Sequence, residues 1–306
     1  MHIFTHSCCL KHTPPPDPSF APKRLEVVYD ALRRSPLPLV WHDNALPASR
    51  EDLCLIHTSP YVDRVLTPLA PGETTLFAAD TLATTGTAEA TRYAAGVVLA
   101  ATESIMNGAA NGAFCLVSPG GHHAEADAAG GFCFFNNVAL AAVAAQQRWG
   151  AERVAVVDID AHHGNGTQSF FWNVEDRLYI SVHEETPGSG LVEEIGAWNN
   201  VLNIPLPKKS DGRLVLDAFE TKIAPKLTAF KPDILFVSAG FDAHKDDPLS
   251  SLRLTEDDYR QIGSRLRGLA DSFCQGRLVS VLEGGYNLSV LGSSAAAYAT
   301  GIERPS

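Results

Sequence analysis

Disulfide patterns are missing from this sequence. Its six cysteines (Cys8, Cys9, Cys54, Cys115, Cys133 and Cys274) are scattered over 306 residues with no CxxC pair and no framework spacing. That excludes a small disulfide scaffold and suits a reducing compartment. Basic charge is also scarce: 24 Lys and Arg stand against 35 Asp and Glu, a formal net charge of -11. A sequence-independent grip on phosphates is excluded, so no direct nucleic-acid contact is expected. No run reaches ~18 uninterrupted apolar residues, and the start MHIFTHSCCLKHTPPPDPS carries no basic segment leading into an apolar one. A soluble, cytoplasmic protein with no membrane partner is the expectation. Internal repeats, heptads and long low-complexity tracts are absent too, apart from the short Pro14 to Pro16 run and Pro36 and Pro38 as punctuation. With nothing resembling a linker, one domain is expected over residues 1–306.

What the chain does have is alternation. Short apolar runs rich in β-branched residues begin at Ala113 (AFCLVS), Arg153 (RVAVVDID), Leu178 (LYISVH), Ile234 (ILFVSAG) and Leu278 (LVSVLEG). Continuous apolar runs of this length suit strands buried on both faces. Helical patterns separate them, from about Gly86 to Met106, Asn137 to Trp149, Arg213 to Phe230, and from Thr255 onward. The last opens TEDD, with Thr255 as capping residue and Asp258 in the place of the usual Glu or Gln. The fold class that follows is α/β: a single domain with a mostly parallel central sheet and helices on both faces. Ligands in such sheets sit beyond the carboxyl ends of the strands.

Those ends read SPGGHH (His122, His123), DIDAHHGNG (Asp158, Asp160, His162, His163), SAGFD (Asp242) and LEGGY (Tyr286). Residues two apart in a strand share a face, which would align Asp158, Asp160 and His162. Asp160 and His162, joined by Asp242 from another strand, would form a three-ligand oxygen and nitrogen set with a position left for water and substrate. The alternative for DIDAHHGNG alone is a solvated turn whose carboxylates cap the next helix. The doubled His122–His123 weighs against it, because adjacent imidazoles gain little from packing.

In this order, PGGHHA, DIDAHHGNGTQ, SAGFDAH and LEGGYN resemble the signature blocks of the histone deacetylase family, especially its class II and bacterial amidohydrolase branch, from about Pro22 onward. The resemblance implies the arginase/deacetylase-like fold, one catalytic zinc on Asp160, His162 and Asp242, and paired imidazoles beside it, with His123 as general base and acid. It implies that His122 leans on Asp158 and His123 on Asn165, where class I members carry Asp. Tyr286 would donate to the developing oxyanion. Potassium would sit near the zinc on oxygens of Asp158, Asp160, His162, Ser181 and Val182, with a second monovalent site on backbone oxygens near Phe171, Val174 and Arg177. Phe132 would form one wall of the substrate channel, Gly131 would offer its carbonyl to the amide N–H, and Arg24 would lie near an internal cavity.

The chain departs from the family in the loop HEETPGSG, where Thr186 stands in place of an aromatic wall and Glu184 and Glu185 could attract cationic neighbours of the substrate. Leu249, after Asp247 and Pro248, replaces the acidic gatekeeper of polyamine-selective relatives. His6 and His12 receive no role. The resemblance therefore implies hydrolysis of an acylated lysine in a protein or peptide, with an acetylated small amine as the alternative substrate. A silent acyl-lysine scaffold and an arginase-type ureohydrolase are the rival readings. The complete ligand set with Tyr286 argues against the first, and too few aspartates for a bridged metal pair against the second.

Overall fold

The structure, a computed structural model, describes residues 1–14 and 22–303; the rest of the proline run that starts at Pro14 lies outside the described residues. The five apolar runs become the strands β5 (Gly112–Leu116), β6 (Val154–Asp158), β7 (Arg177–Glu184), β9 (Ile234–Ala239) and β10 (Leu278–Leu282). β6, β9 and β10 are buried at every residue, as continuous Val, Ile and Leu runs require when both faces are covered. They lie in an eight-stranded sheet of order β2-β1-β5-β10-β9-β6-β7-β8, parallel throughout. The added strands are β1 (His2–Thr5), β2 (Val40–His42) and β8 (Val201–Leu206). A small antiparallel hairpin, β3 (Thr75–Ala78) and β4 (Thr81–Ala83), stands apart.

The helices are α1 (Lys23–Arg34), α2 (Arg50–Leu53), α3 (Ser59–Leu66), α4 (Thr87–Met106), α5 (Asn137–Trp149), α6 (Asn165–Phe171), α7 (Gly212–Ala218), α8 (Ala224–Phe230), α9 (Glu256–Phe273) and α10 (Leu288–Ile302). α1, α9 and α10 pack together in one layer, and α4 with α5 in another. The stretch expected as one helix from Arg213 to Phe230 is α7 and α8 joined by a wider π-type turn at Phe219–Ile223. At the start of α9 the Asp258 carboxylate accepts from both the N–H and the hydroxyl of Thr255, at 2.8 and 2.7 Å, so the shorter Asp does serve the cap. No helix among the described residues is long and apolar enough to cross a membrane.

The four central strands in spatial order, β5, β10, β9 and β6, are the ones whose carboxyl ends carry the singled-out motifs. The topology therefore gathers chain segments from His122, Asp160, Asp242 and Tyr286 over the middle of one sheet edge.

Candidate active site

Strand β6 ends at Asp158, so Asp160 and His162 lie beyond it and strand alternation is not what pairs them. The loop does so through its own backbone. Asp160 N–H donates to Asp158 Oδ1 (3.2 Å), His162 N–H to Asp160 Oδ1 (2.9 Å), and Ala161 N–H to Asp242 Oδ1 (2.9 Å). From β10, Gly284 N–H donates to Asp160 Oδ2 at 2.9 Å. His162 Nδ1 then lies 3.2 Å from Asp160 Oδ1 and 2.9 Å from Asp242 Oδ2, and one ligand atom from each of the three residues falls within 4.8 Å of the others. A Cβ on Gly284 would stand 2.4 Å from Asp242 Oδ2 and 2.6 Å from Asp160 Oδ2, which is why only glycine fits there. Two buried carboxylates side by side are costly without a cation. Burial and the neighbouring Asp160 push the Asp242 carboxyl up to about 7. Two carboxylates and an imidazole, held by protein dipoles with room on one side, suit a zinc ion.

The paired histidines flank this triad. His122 Nδ1 lies 3.0 Å from Asp158 Oδ2, and Asp158 also accepts from the Tyr179 hydroxyl at 3.0 Å. Burial opposes a charge on His122, but Asp158 and Asp160 outweigh it and hold its pKa up at about 10; a cation on Asp160 would cancel part of that pull. His123 Nδ1 lies 2.8 Å from Asn165 Oδ1. The Asn165 amide donates in turn to Glu125 at 2.7 Å, which fixes its oxygen toward the imidazole. His123 therefore carries its proton on Nδ1 and leaves Nε2 as a base. Burial, followed by the repulsion of His122, lowers its pKa to about 3.

A channel of about 480 Å³ opens over the site, lined among others by His123, His162, Gly131, Phe132, Tyr286 and Leu249. Phe132 and Tyr286 meet edge to face, with ring centroids 5.8 Å apart. Gly131 and Phe132 both adopt positive φ, 53° and 66°. A Cβ on Gly131 would strike the His123 ring at 2.0 Å, so the glycine lets the wall close on the base. Leu249 is 38 % exposed at the mouth. Behind the site lies an inner cavity of about 200 Å³ whose lining includes His12, Arg24, Ser118, His122, Glu283 and Tyr286.

Two expectations about the outer loop are corrected. Thr186 is exposed and does not line the channel. Glu184 belongs to the end of β7, and its carboxylate is taken by the N–H and hydroxyl of Ser251 at 2.6 and 2.9 Å. It ties the Leu249 loop down and is not free to attract a cation. The carboxylates on the channel wall are instead Asp80 and Glu125.

Other residues support the site without having been singled out. Asp247 accepts from the N–H groups of Tyr286 (2.7 Å), Asn287 (3.1 Å) and Leu249 (3.0 Å), so the EGGYN turn is pinned. Glu283 accepts from Gly121 N–H at 2.6 Å and His122 N–H at 3.3 Å; burial raises its pKa to about 7. Asn136 and His57 brace the loop from behind: the Asn136 amide donates to Ala124 O (3.2 Å) and Thr167 Oγ1 (3.1 Å), and Asn136 N–H to His57 Nε2 (3.0 Å). Glu283, Asn136 and His57 are buried polar side chains beside apolar runs, whereas Asp247 sits in the charged stretch HKDDP. That was the available signal, but it does not name the partner.

Fold and site together define an α/β domain with a candidate metal centre flanked by two paired histidines. The chain belongs to the histone deacetylase family: the family's "Histone deacetylase domain" matches residues 18–302. It is 36 % identical over 296 residues to the chloroplastic Histone deacetylase 10 of Oryza sativa subsp. japonica, covering 90 % of this chain and 67 % of that one. It is 39 % identical over 252 residues to the Histone deacetylase-like amidohydrolase of Pseudomonas aeruginosa, covering 80 % and 66 %. The chain thus spans about two thirds of the length of these relatives. Among solved structures, the acetylpolyamine aminohydrolase from Burkholderia pseudomallei superposes with a TM-score of 0.85 at 28 % identity, covering 98 % of each chain. These likenesses fit a hydrolase acting on amides.

Proposed function

We propose that this chain is a zinc-dependent deacylase that removes acetyl or other acyl groups from lysine side chains of proteins or peptides. The observation carrying this reading is the convergence of Asp160, His162 and Asp242 beneath a channel that also presents His123 and Tyr286. When bound there, zinc polarises an acyl carbonyl and brings the pKa of water toward ~7. The chain's own groups do the rest. Phe132 forms one wall against the stem of the substrate, and Gly131 offers its carbonyl to the amide N–H. His123, with Nδ1 committed to Asn165, receives a proton at Nε2 as water adds and returns it to the leaving amine. His122, paired with Asp158, supports that transfer electrostatically. Tyr286 donates its hydroxyl to the acyl oxygen as charge builds, an interaction typically worth ~2.7 to 4 kcal/mol.

Potassium is the second proposed ion, next to the zinc site, where Asp158 and Ser181 pair in register beside Val182 and supply oxygen atoms that suit a hard cation. The six described cysteines are all free, in keeping with a cytoplasmic location.

An acetylpolyamine substrate is the second reading, favoured by the Burkholderia likeness and by Asp80 and Glu125 on the channel wall. Leu249 at the mouth argues for the first reading, because it offers no charge to a second ammonium group. Comparing kcat/KM of zinc-loaded protein on acetyl-lysine peptides and on acetylspermidine decides: the peptides should win. Leu249→Glu should move the ratio toward acetylspermidine by roughly 1 kcal/mol, one charge pair at a partly exposed site. A parent enzyme preferring acetylspermidine to every peptide overturns the substrate. One showing no turnover on either, with zinc bound, overturns the enzyme.

A further inference from the structure

The turn after α6 presents three backbone carbonyls, those of Phe171, Val174 and Arg177, to a single point. Occupying that point is the side-chain nitrogen of Asn200, at 2.7, 3.0 and 2.8 Å from the three oxygens. A primary amide has only two N–H bonds, so three close carbonyls outnumber its donors. Converging backbone carbonyls form the kind of cage that monovalent cations occupy.

The orientation of the amide is fixed at its other end. Asn200 Oδ1 accepts from Trp198 N–H at 3.2 Å, and the backbone carbonyl of Asn200 accepts from Tyr179 N–H at 2.9 Å. The residue is 3 % exposed and immediately precedes β8. We infer that the Asn200 amide takes the place of a monovalent cation at this turn, so that the expected second ion site of the family is filled here by the protein itself.

The consequence concerns regulation by salt. The turn joins α6, which follows directly from the metal-ligand loop, to β7, which carries Ser181. A cage held by an ion loosens when the ion is diluted out, by mass action. A cage held by a covalently attached amide does not. Potassium should therefore act on this protein only through the place beside Asp158, and the α6–β7 junction should stay ordered without it. The inference is independent of the catalytic reading, because it rests on backbone geometry away from the triad.

Crystals of the parent protein grown in rubidium chloride test it directly. Anomalous scattering should show no rubidium among the carbonyls of Phe171, Val174 and Arg177. A peak there, with the Asn200 side chain displaced, overturns the inference. Asn200→Gly should open the cage. Its rubidium derivative should then show a peak among the same carbonyls. Its melting temperature should rise on replacing tetramethylammonium by potassium at constant ionic strength, by roughly 2 to 4 °C more than the parent's. An Asn200→Gly protein that gains neither peak nor potassium response overturns the equivalence of amide and ion. If that variant does not fold in either salt, the parent's rubidium map still decides.

Discussion

Tyr286 was legible from LEGGY alone, but what holds it was not. The two glycines before it give no sign of a restraint, yet the Asp247 carboxylate fastens the backbone of Tyr286 and Asn287 with one oxygen and that of Leu249 with the other. Burial raises the Asp247 carboxyl above the usual carboxylate range, against the opposing pull of the donors from Tyr286, Leu249 and Asn287. Asp247→Asn keeps the shape but turns an amide nitrogen toward at least one N–H donor. If Asp247 acts by positioning Tyr286, this change should lower kcat about 10-fold or more with zinc content unchanged. Tyr286→Phe should cost about 10²-fold. In the Tyr286→Phe background the Asp247→Asn change should then cost far less than in the parent, the non-additivity expected of residues acting as a unit. Fully additive losses would show that Asp247 is merely structural.

At the scale of elements, the sequence made the long members readable and hid the short ones. β6, β9 and β10 announced themselves because burial on both faces demands unbroken apolar runs. β1 and β2 have only four and three residues, too few for any period to show. α6 was masked because its first residue, Asn165, falls inside the DIDAHHGNG motif. α1 carries six charged side chains in KRLEVVYDALRR, and its buried face does not stand out from a short reading. Helix α5 shows how an element serves the site: Asn136 caps it by accepting from Ala139 N–H at 3.0 Å, while its amide clamps the His123 loop at Ala124 O. Asn136→Ala removes both functions and should destabilise by roughly 2 kcal/mol, summing a lost cap and a stranded buried carbonyl. Asn136→Ser restores a capping oxygen but cannot reach Ala124. It should recover part of the melting temperature and none of the lost kcat; parallel recovery of both would refute the clamp.

The whole molecule keeps several histidines neutral inside it, which makes it sensitive to acid in a way the -11 charge does not reveal. His57 is 3 % exposed. Asn136 N–H donates to its Nε2, and its Nδ1 faces Glu125 O at 2.9 Å, so one nitrogen accepts and the other donates. Protonation would destroy the accepting side. Burial lowers its pKa to about 4, partly opposed by the carbonyl contact with Glu125. Burial likewise lowers His12 to about 4 and His183 to about 3. Above pH ~6.5 these groups are neutral folded and unfolded and have no effect on the pH slope. Below it the unfolded chain binds protons that the folded chain refuses, so stability falls as the pH drops from about 6.5 toward the folded values. For His57 the loss is at most roughly 3 kcal/mol, from a shift of about two and a half units at 1.36 kcal/mol each. Thermal melts of the parent and His57→Gln from pH 7 to pH 4.5, both stripped of metal by chelation, isolate this contribution, because the Asp160, His162 and Asp242 cluster titrates alike in the two. The glutamine variant should start less stable at pH 7 and lose fewer degrees on acidification, so that the two curves converge. Parallel curves would mean that His57 takes up its proton within the folded protein, and that the bond from Asn136 is not what keeps the imidazole neutral.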